Sequence, residues 1–136
     1  MKFLISPILI LFLAFPYGAF AQDEHPIDKS LEECIGKTKS ITLGMKKCLE
    51  EAIVRWRGEL NKYHNLLMGT LDEKSKEQLK KSQSAWQKFR DLEFEFIPSY
   101  FLDIGSYIGP TIRSDRLRII RARALELIAY YETIEE

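Results

Sequence analysis

Apolar side chains recur every three or four positions through most of the chain, which is the spacing of helices that bury one face. Three segments carry this pattern, beginning near 43, 73 and 110–114. Their expected buried faces are Leu49, Ala52, Ile53, Trp56, Leu60, Tyr63 and Leu67; then Leu79, Trp86, Phe89, Phe96 and Ile97; then Leu117, Ile120, Ala124, Leu127, Ile128 and Tyr131. The pattern predicts three long helices, over about 43–67, 73–97 and from Pro110 or Ser114 to Thr133.

Capping and breaking residues set the expected helix ends. A short first helix is predicted from Asp28 to near Gly36, since glycine tolerates the positive φ of a helix C-terminus. Ser40 or Thr42 can cap the second helix by accepting from its free N–H groups. Asp72 can cap the third in the same way. The sequence therefore predicts a short N-terminal helix before the long ones.

Proline and glycine mark the expected break between the last two helices. Pro98 is predicted to stop the third helix, because proline lacks an N–H and clashes with the preceding turn. The segment 98–110 combines three aromatics with two glycines and predicts an ordered loop. Residues 91–96, DLEFEF, alternate as a strand would, but they continue a helical pattern. The expected fold class is all-α, a small helical bundle without strands.

The N-terminal segment 1–21 is typical of a secretory signal peptide. A single Lys2 precedes an apolar run, and small residues at Ala19 and Ala21 fit an A-x-A cleavage site. The alternative is an uncleaved anchor helix, since the run approaches membrane-spanning length. Cleavage predicts a mature chain of one domain, 22–136, that is periplasmic or secreted and has no stable membrane insertion.

The balance of charged residues argues against one class of function, nucleic-acid binding. The whole chain has 20 Lys and Arg against 20 Asp and Glu. Nucleic-acid binding needs clustered positive charge that displaces counterions from phosphate, so a nucleic-acid partner is not expected.

Cys34 and Cys48 predict a disulfide, because an exported protein folds where thiols can oxidise. A bridge of this loop size is worth about 3 kcal/mol in the chain-entropy model. It would staple the short first helix to the start of the second. A metal pair or a reactive thiol is the alternative, but no CxxC occurs and neither His25 nor His64 has ligand spacing to a cysteine. No metal and no cofactor are expected.

Catalytic residues are not evident in the sequence. No Gly-rich phosphate loop, HExxH or GxSxG motif is present. Near-adjacent carboxylates such as Glu93 and Glu95 could flank a glycosidic bond, but on a charged helix such pairs usually face solvent. We therefore expect a binding protein that is not an enzyme.

The side chains of the segment KKSQSAWQKFRD, residues 80–91, could either pack in the core or form a contact surface for a partner. Trp86 and Phe89 fall on the predicted buried face, and Arg90 lies one turn after Trp86. A guanidinium there can bury its stem, lie against the indole and reach a carboxylate. We assign Trp86, Phe89 and Arg90, together with Trp56, to the structural core, and leave Asp91 open for either role.

Two sets of residues are candidates for partner binding. Ser106 and Tyr107 lie in the glycine-bracketed loop, which can insert into a cleft of a partner. Asp91, Glu95 and Asp103 can form a negative patch that steers a cationic partner. The last helix also carries five arginines, for which pairing with acidic residues of neighbouring helices and an anion-binding stripe are alternatives: Arg113, Arg116, Arg118, Arg121 and Arg123.

The same motifs resemble those of the LprI-type lysozyme inhibitor family, a group of small exported bacterial proteins. The matching residues are Cys34, Met45, Cys48, the ELN at 59–61, the LKKSQSAWQKFRD ending at Asp91 and the RAR at 121–123. The family commonly has four cysteines. This chain has Phe94 where the third usually stands and lacks the fourth, so one bridge is absent as a pair.

The resemblance implies a helical protein that binds lysozyme, or a related peptidoglycan hydrolase, and blocks its cleft. It supplies no established binding residues. The alternative function is a periplasmic interaction or immunity-type module with a partner other than lysozyme.

Overall fold

Four α-helices make up the described structure, a computed structural model that covers residues 24–39, 41–101 and 108–135. The helices are α1 (Pro26–Lys37), α2 (Thr42–Thr70), α3 (Glu73–Phe101) and α4 (Ile108–Glu135). No strand occurs in these ranges. The predicted all-α bundle of three long helices and one short helix is confirmed. The predicted signal peptide, 1–21, lies outside the described residues.

The core lies between α2 and α4, which make the most extensive helix contact. Trp56 of α2 and Ile120, Ala124 and Leu127 of α4 are completely enclosed. The apolar stripes predicted for these two helices are confirmed. Their remaining members are buried or packed against the core: Leu49, Ala52, Ile53, Leu60, Tyr63, Leu67, Leu117, Ile128 and Tyr131.

α1 joins the bundle through a polar cluster around Trp56. The Asp28 carboxylate accepts from Trp56 Nε1 at 3.1 Å and from Arg121 Nε at 2.8 Å. The His25 ring lies against the indole, with ring centroids 4.3 Å apart, and its Nδ1 accepts from the backbone N–H of Ile27. The helix therefore begins at Pro26, two residues before the predicted start.

The predicted disulfide between Cys34 and Cys48 is confirmed, with a Cα–Cα distance of 5.7 Å. The turn it spans differs from the prediction. Gly36 is helical, and the residue with positive φ is Lys39 at 48°. Thr42 is inside α2, whose N-cap is Ile41 without a side-chain hydrogen bond. A Cβ at Gly44 would meet Thr38 Cγ2 at 2.8 Å, so glycine permits this close approach.

The predicted end of α3 at Ile97 is wrong, because the helix continues through Pro98 to Phe101. Proline has no N–H to donate to the carbonyl four residues earlier. That carbonyl, on Phe94, instead accepts from Arg116 Nη2 at 3.1 Å. The arginine also lies over the Phe94 ring at 5.0 Å. A side chain of α4 thus satisfies the group that proline leaves without its helical partner.

Arg123 fixes α3 to α4 from inside the bundle. Only 7% of the residue is exposed. Its guanidinium donates to Gln83 Oε1 and to Ser82 Oγ, each at 3.1 Å, and to Glu126 Oε2 at 2.9 Å. The sequence pattern had placed this arginine beside the buried stripe. It is part of the α3–α4 interface.

α3 buries less of its predicted face than expected. Ile97 is buried, and Leu79 and Trp86 pack against the core. The assignment of Phe89 to the core is wrong, since 51% of it is exposed, and Phe96 is similarly exposed. α3 packs mainly on α4 and only slightly on α2, so two neighbours cover a narrow strip of its surface.

Candidate functional site

A polar cleft between α2 and α3 brings together the motif residues of the sequence. Its volume is about 380 Å³, and it is open to solvent. Its polar wall consists of Arg57, Asn61, Gln83, Gln87, Arg90 and Asp91. Leu60, Trp86, Phe94 and Ile120 supply the apolar floor. Asn61 belongs to the ELN segment, whereas Trp86, Arg90 and Asp91 belong to the segment AW-x-x-FRD, residues 85–91. Two segments that are distant in sequence therefore meet here.

Helical spacing explains why these side chains share the cleft. Arg57 and Asn61 are four residues apart on α2, so they lie one above the other on one face. Gln87 and Asp91 are related in the same way on α3. Leu60 is part of the buried core cluster, and Trp86 packs against that cluster. The polar side chains then stand along the two rims.

Arg90 is oriented by two neighbours on its own helix. Its guanidinium lies 5.2 Å from the centre of the Trp86 ring. Its Nε and Nη2 both donate to Asp91 Oδ1, at 2.9 and 2.7 Å. The Arg90 side chain is 26% exposed and the Asp91 side chain 61%. This arrangement leaves most of the Asp91 carboxylate toward solvent while its charge is partly balanced.

The electrostatics of the cleft follow from this pair and from Arg57. The rim carries two cations, Arg57 and Arg90, and one carboxylate, Asp91, and the amides of Asn61 and Gln87 offer both donors and acceptors. Such a surface can bind a polar peptide segment or a basic side chain. Among the described residues, no group of three His, Cys, Asp or Glu side chains could hold a metal ion.

The other candidate contact residues do not line the cleft or fall outside the described residues. Glu95 is exposed one turn after Asp91 on α3. Asp103, Ser106 and Tyr107 fall outside the described residues, so their predicted role stays a prediction. Sequence reasoning missed Arg57 and Gln87 as neighbours of the motif, although their four-residue spacing to Asn61 and Asp91 was the available signal.

Two of the five arginines of α4 pair with acidic residues of neighbouring helices, as one of the two interpretations predicted. Arg121 Nη2 lies 2.7 Å from Asp28 of α1, and Arg113 Nε lies 3.5 Å from Glu50 of α2. Arg118 and Arg123 instead pair within α4, with Asp115 and Glu126. These contacts use the guanidinium groups internally and do not favour an anion-binding stripe.

The fold and the cleft define a small, disulfide-stapled, all-helical protein with a preformed polar groove. Residues 34–127 match the family described as lysozyme inhibitor LprI, and the match spans more than half of the chain. The chain belongs to the LprI family. No curated protein matches it. None of the helices in the described part of the chain is long and apolar enough to cross a membrane.

A similar fold occurs in the crystal structure of an uncharacterised protein from Burkholderia thailandensis. The TM-score is 0.75 at 24% sequence identity, over 81% of this chain. The match spans 55% of the other chain, or about half of its length. At this identity the likeness concerns the fold alone.

Proposed function

We propose that the protein is an exported, non-enzymatic inhibitor that binds a peptidoglycan hydrolase, lysozyme first, and blocks the substrate cleft of that enzyme. Membership of the LprI family supports the class of partner. The observation that carries the proposal is the convergence of the ELN and AW-x-x-FRD segments in one open groove.

The groove is suited to binding because its groups are already held in place. Arg90 is fixed between Trp86 and Asp91, so little side-chain entropy is lost when a partner docks. Peptidoglycan carries carboxylates, and enzymes that act on it gain from a positive surface that attracts the polymer. Asp91, whose side chain is 61% exposed, offers one carboxylate to such a surface, beside the cations Arg57 and Arg90 of the same rim. Ser106, Tyr107 and Asp103, predicted from sequence, are proposed as further contacts.

The proposal is tested by following lysis of a cell-wall suspension by c-type and g-type lysozymes at increasing ratios of the oxidised protein. We expect saturable loss of activity near an equimolar ratio. Asp91→Asn keeps an acceptor for Arg90 but removes the charge, and should raise the inhibition constant about 3- to 10-fold. Asn61→Ala should act in the same direction.

Glu51→Gln is the matched control, because Glu51 is an exposed carboxylate of α2 and does not line this cleft. It should inhibit as the unmodified protein does. Full lysozyme activity at large excess of inhibitor would refute the proposal for these enzymes. A single stoichiometric partner recovered from envelope extract would then favour the interaction-module alternative.

A further inference from the structure

A second surface on α3 is apolar and exposed, and neither the bundle nor the cleft accounts for it. Phe89, Leu92, Phe96 and Tyr100 are each between 51% and 61% exposed. They recur at intervals of three and four residues, so they form one row along the helix, which we call the α3 stripe. The rings of Phe96 and Tyr100 lie 5.7 Å apart. Single exposed apolar residues are ordinary, but a contiguous row marks a contact surface.

The spacing of the stripe residues is that of a helix that packs lengthwise against another helix. Phe89, Leu92 and Phe96 follow the a, d, a positions of a heptad, and Ala85 occupies the preceding d position. Ala85 is exposed as well. A small residue at one end of the row and large rings toward the other give the stripe a direction.

We propose that the α3 stripe binds the same stripe of a second copy of this chain, with the two helices antiparallel about a two-fold axis. In that register Ala85 lies opposite Phe96 of the partner subunit, and Phe89 lies opposite Leu92 of the partner subunit. Both of these layers then combine a larger and a smaller side chain, as interdigitated packing requires. The two-fold axis makes each of these contacts occur twice.

Charges at the edge of the stripe support a second copy as the occupant. Lys88 and Glu95 both take the g position of the heptad, one heptad apart, so they lie on the same edge of the stripe. Both are exposed, and no ion pair of either occurs among the described residues. An antiparallel two-fold arrangement brings g positions together. Lys88 therefore meets Glu95 of the partner subunit, and the same pair forms again across the axis.

This self-complementary edge does not fit a partner of a single net charge. A basic hydrolase would be attracted by Glu95 and repelled by Lys88. The polar cleft with Asn61 and Asp91 faces α2, on another side of α3. Pairing through the stripe therefore leaves both clefts of the dimer open. It assigns Glu95 to the dimer contact, where the sequence alone had suggested a hydrolase contact.

The test is the oligomeric state of the oxidised, exported chain by sedimentation velocity over about 1 µM to 1 mM. We expect a monomer–dimer equilibrium in the micromolar range. Leu92→Glu should abolish the dimer, and circular dichroism should show an unchanged fold because the side chain is exposed. Lys88→Glu and Glu95→Lys should each weaken the dimer about tenfold or more, since each change affects two symmetric pairs.

The double variant Lys88→Glu with Glu95→Lys should restore the dimer, because it exchanges the two charges. Lys80→Glu, an equal charge change on another face of α3, should leave the dissociation constant unchanged. A chain that stays monomeric over the whole range overturns the proposal, and so does a dimer that the stripe variants leave intact. Loss of lysozyme inhibition in Leu92→Glu without any wild-type dimer would assign the stripe to the hydrolase instead.

Discussion

At the scale of single residues, Arg123 shows how a charged side chain becomes part of a helical core. Its neighbours Ser82, Gln83 and Glu126 occupy three of its donors. The sequence shows only an arginine beside an apolar stripe. Its burial depends on where α3 crosses α4, and that crossing is a tertiary property which no local pattern encodes.

Arg123→Ala is expected to destabilise the fold by about 2–3 kcal/mol, because it removes charge-assisted hydrogen bonds and leaves Gln83 without its buried donor. Arg118→Ala is the control, since its side chain is 69% exposed; it should change stability by less than about 0.5 kcal/mol. Denaturant unfolding measures both. A loss for Arg123→Ala as small as the one expected for Arg118→Ala would show that the interior network does not stabilise the fold.

Burial of a single side chain was predicted correctly where the fold covers the whole apolar face of its helix. Trp56 lies in the middle of a regular stripe on α2 and is completely buried, as that stripe predicted. Phe89 satisfied the same helical spacing but is exposed, since α3 has too few neighbours to cover its whole apolar width. Periodicity identifies an apolar face. It does not say whether the fold or a partner covers that face.

At the scale of elements, the existence of each helix was predictable from its apolar period and its ends were less so. Asp72 caps α3 as predicted, accepting from the Ser75 backbone N–H at 3.0 Å and from its hydroxyl at 2.8 Å. The C-terminal end was missed because Arg116, on another helix, satisfies the Phe94 carbonyl that Pro98 leaves free. Caps are local and can be read from sequence, whereas this rescue comes from a distant residue.

The cap of α3 predicts a dependence of stability on pH. Hydrogen bonds from Ser75, chiefly from its backbone N–H, hold the pKa of the Asp72 carboxyl below its ordinary value of 3.8. The stabilisation is therefore fully present above that ordinary value and is lost as the pH falls through the lower folded value. Asp72→Ala should lower the melting temperature at neutral pH, and the difference from wild type should shrink in acid.

Asp72→Asn separates the charge from the cap. Asparagine is a comparable N-cap but has no carboxyl proton to bind. Its difference from Asp72→Ala should therefore stay constant across the same pH range, as followed by thermal melts. A constant difference between wild type and Asp72→Ala down to strong acid would contradict the role of the carboxylate.

At the scale of the whole molecule, the packing of the helices leaves two exposed surfaces on α3, the cleft and the α3 stripe, which face different directions. The cleft combines Asn61 of α2 with Asp91 of α3, and the α3 stripe lies on another side of the same helix. The sequence supplied the motif residues. It could not show that segments some thirty residues apart meet in one groove, because that depends on how α3 lies across the α2–α4 pair.

Trp56 and Trp86 are the only tryptophans of the chain. Because their environments differ, the tryptophan fluorescence of the protein can report binding at the cleft. Trp56 is completely enclosed, whereas Trp86 lines the cleft. Acrylamide should therefore quench the emission of Trp86 and spare that of Trp56. A hydrolase seated in the cleft should shield Trp86 from the quencher, so one unlabelled sample reports whether the cleft is occupied.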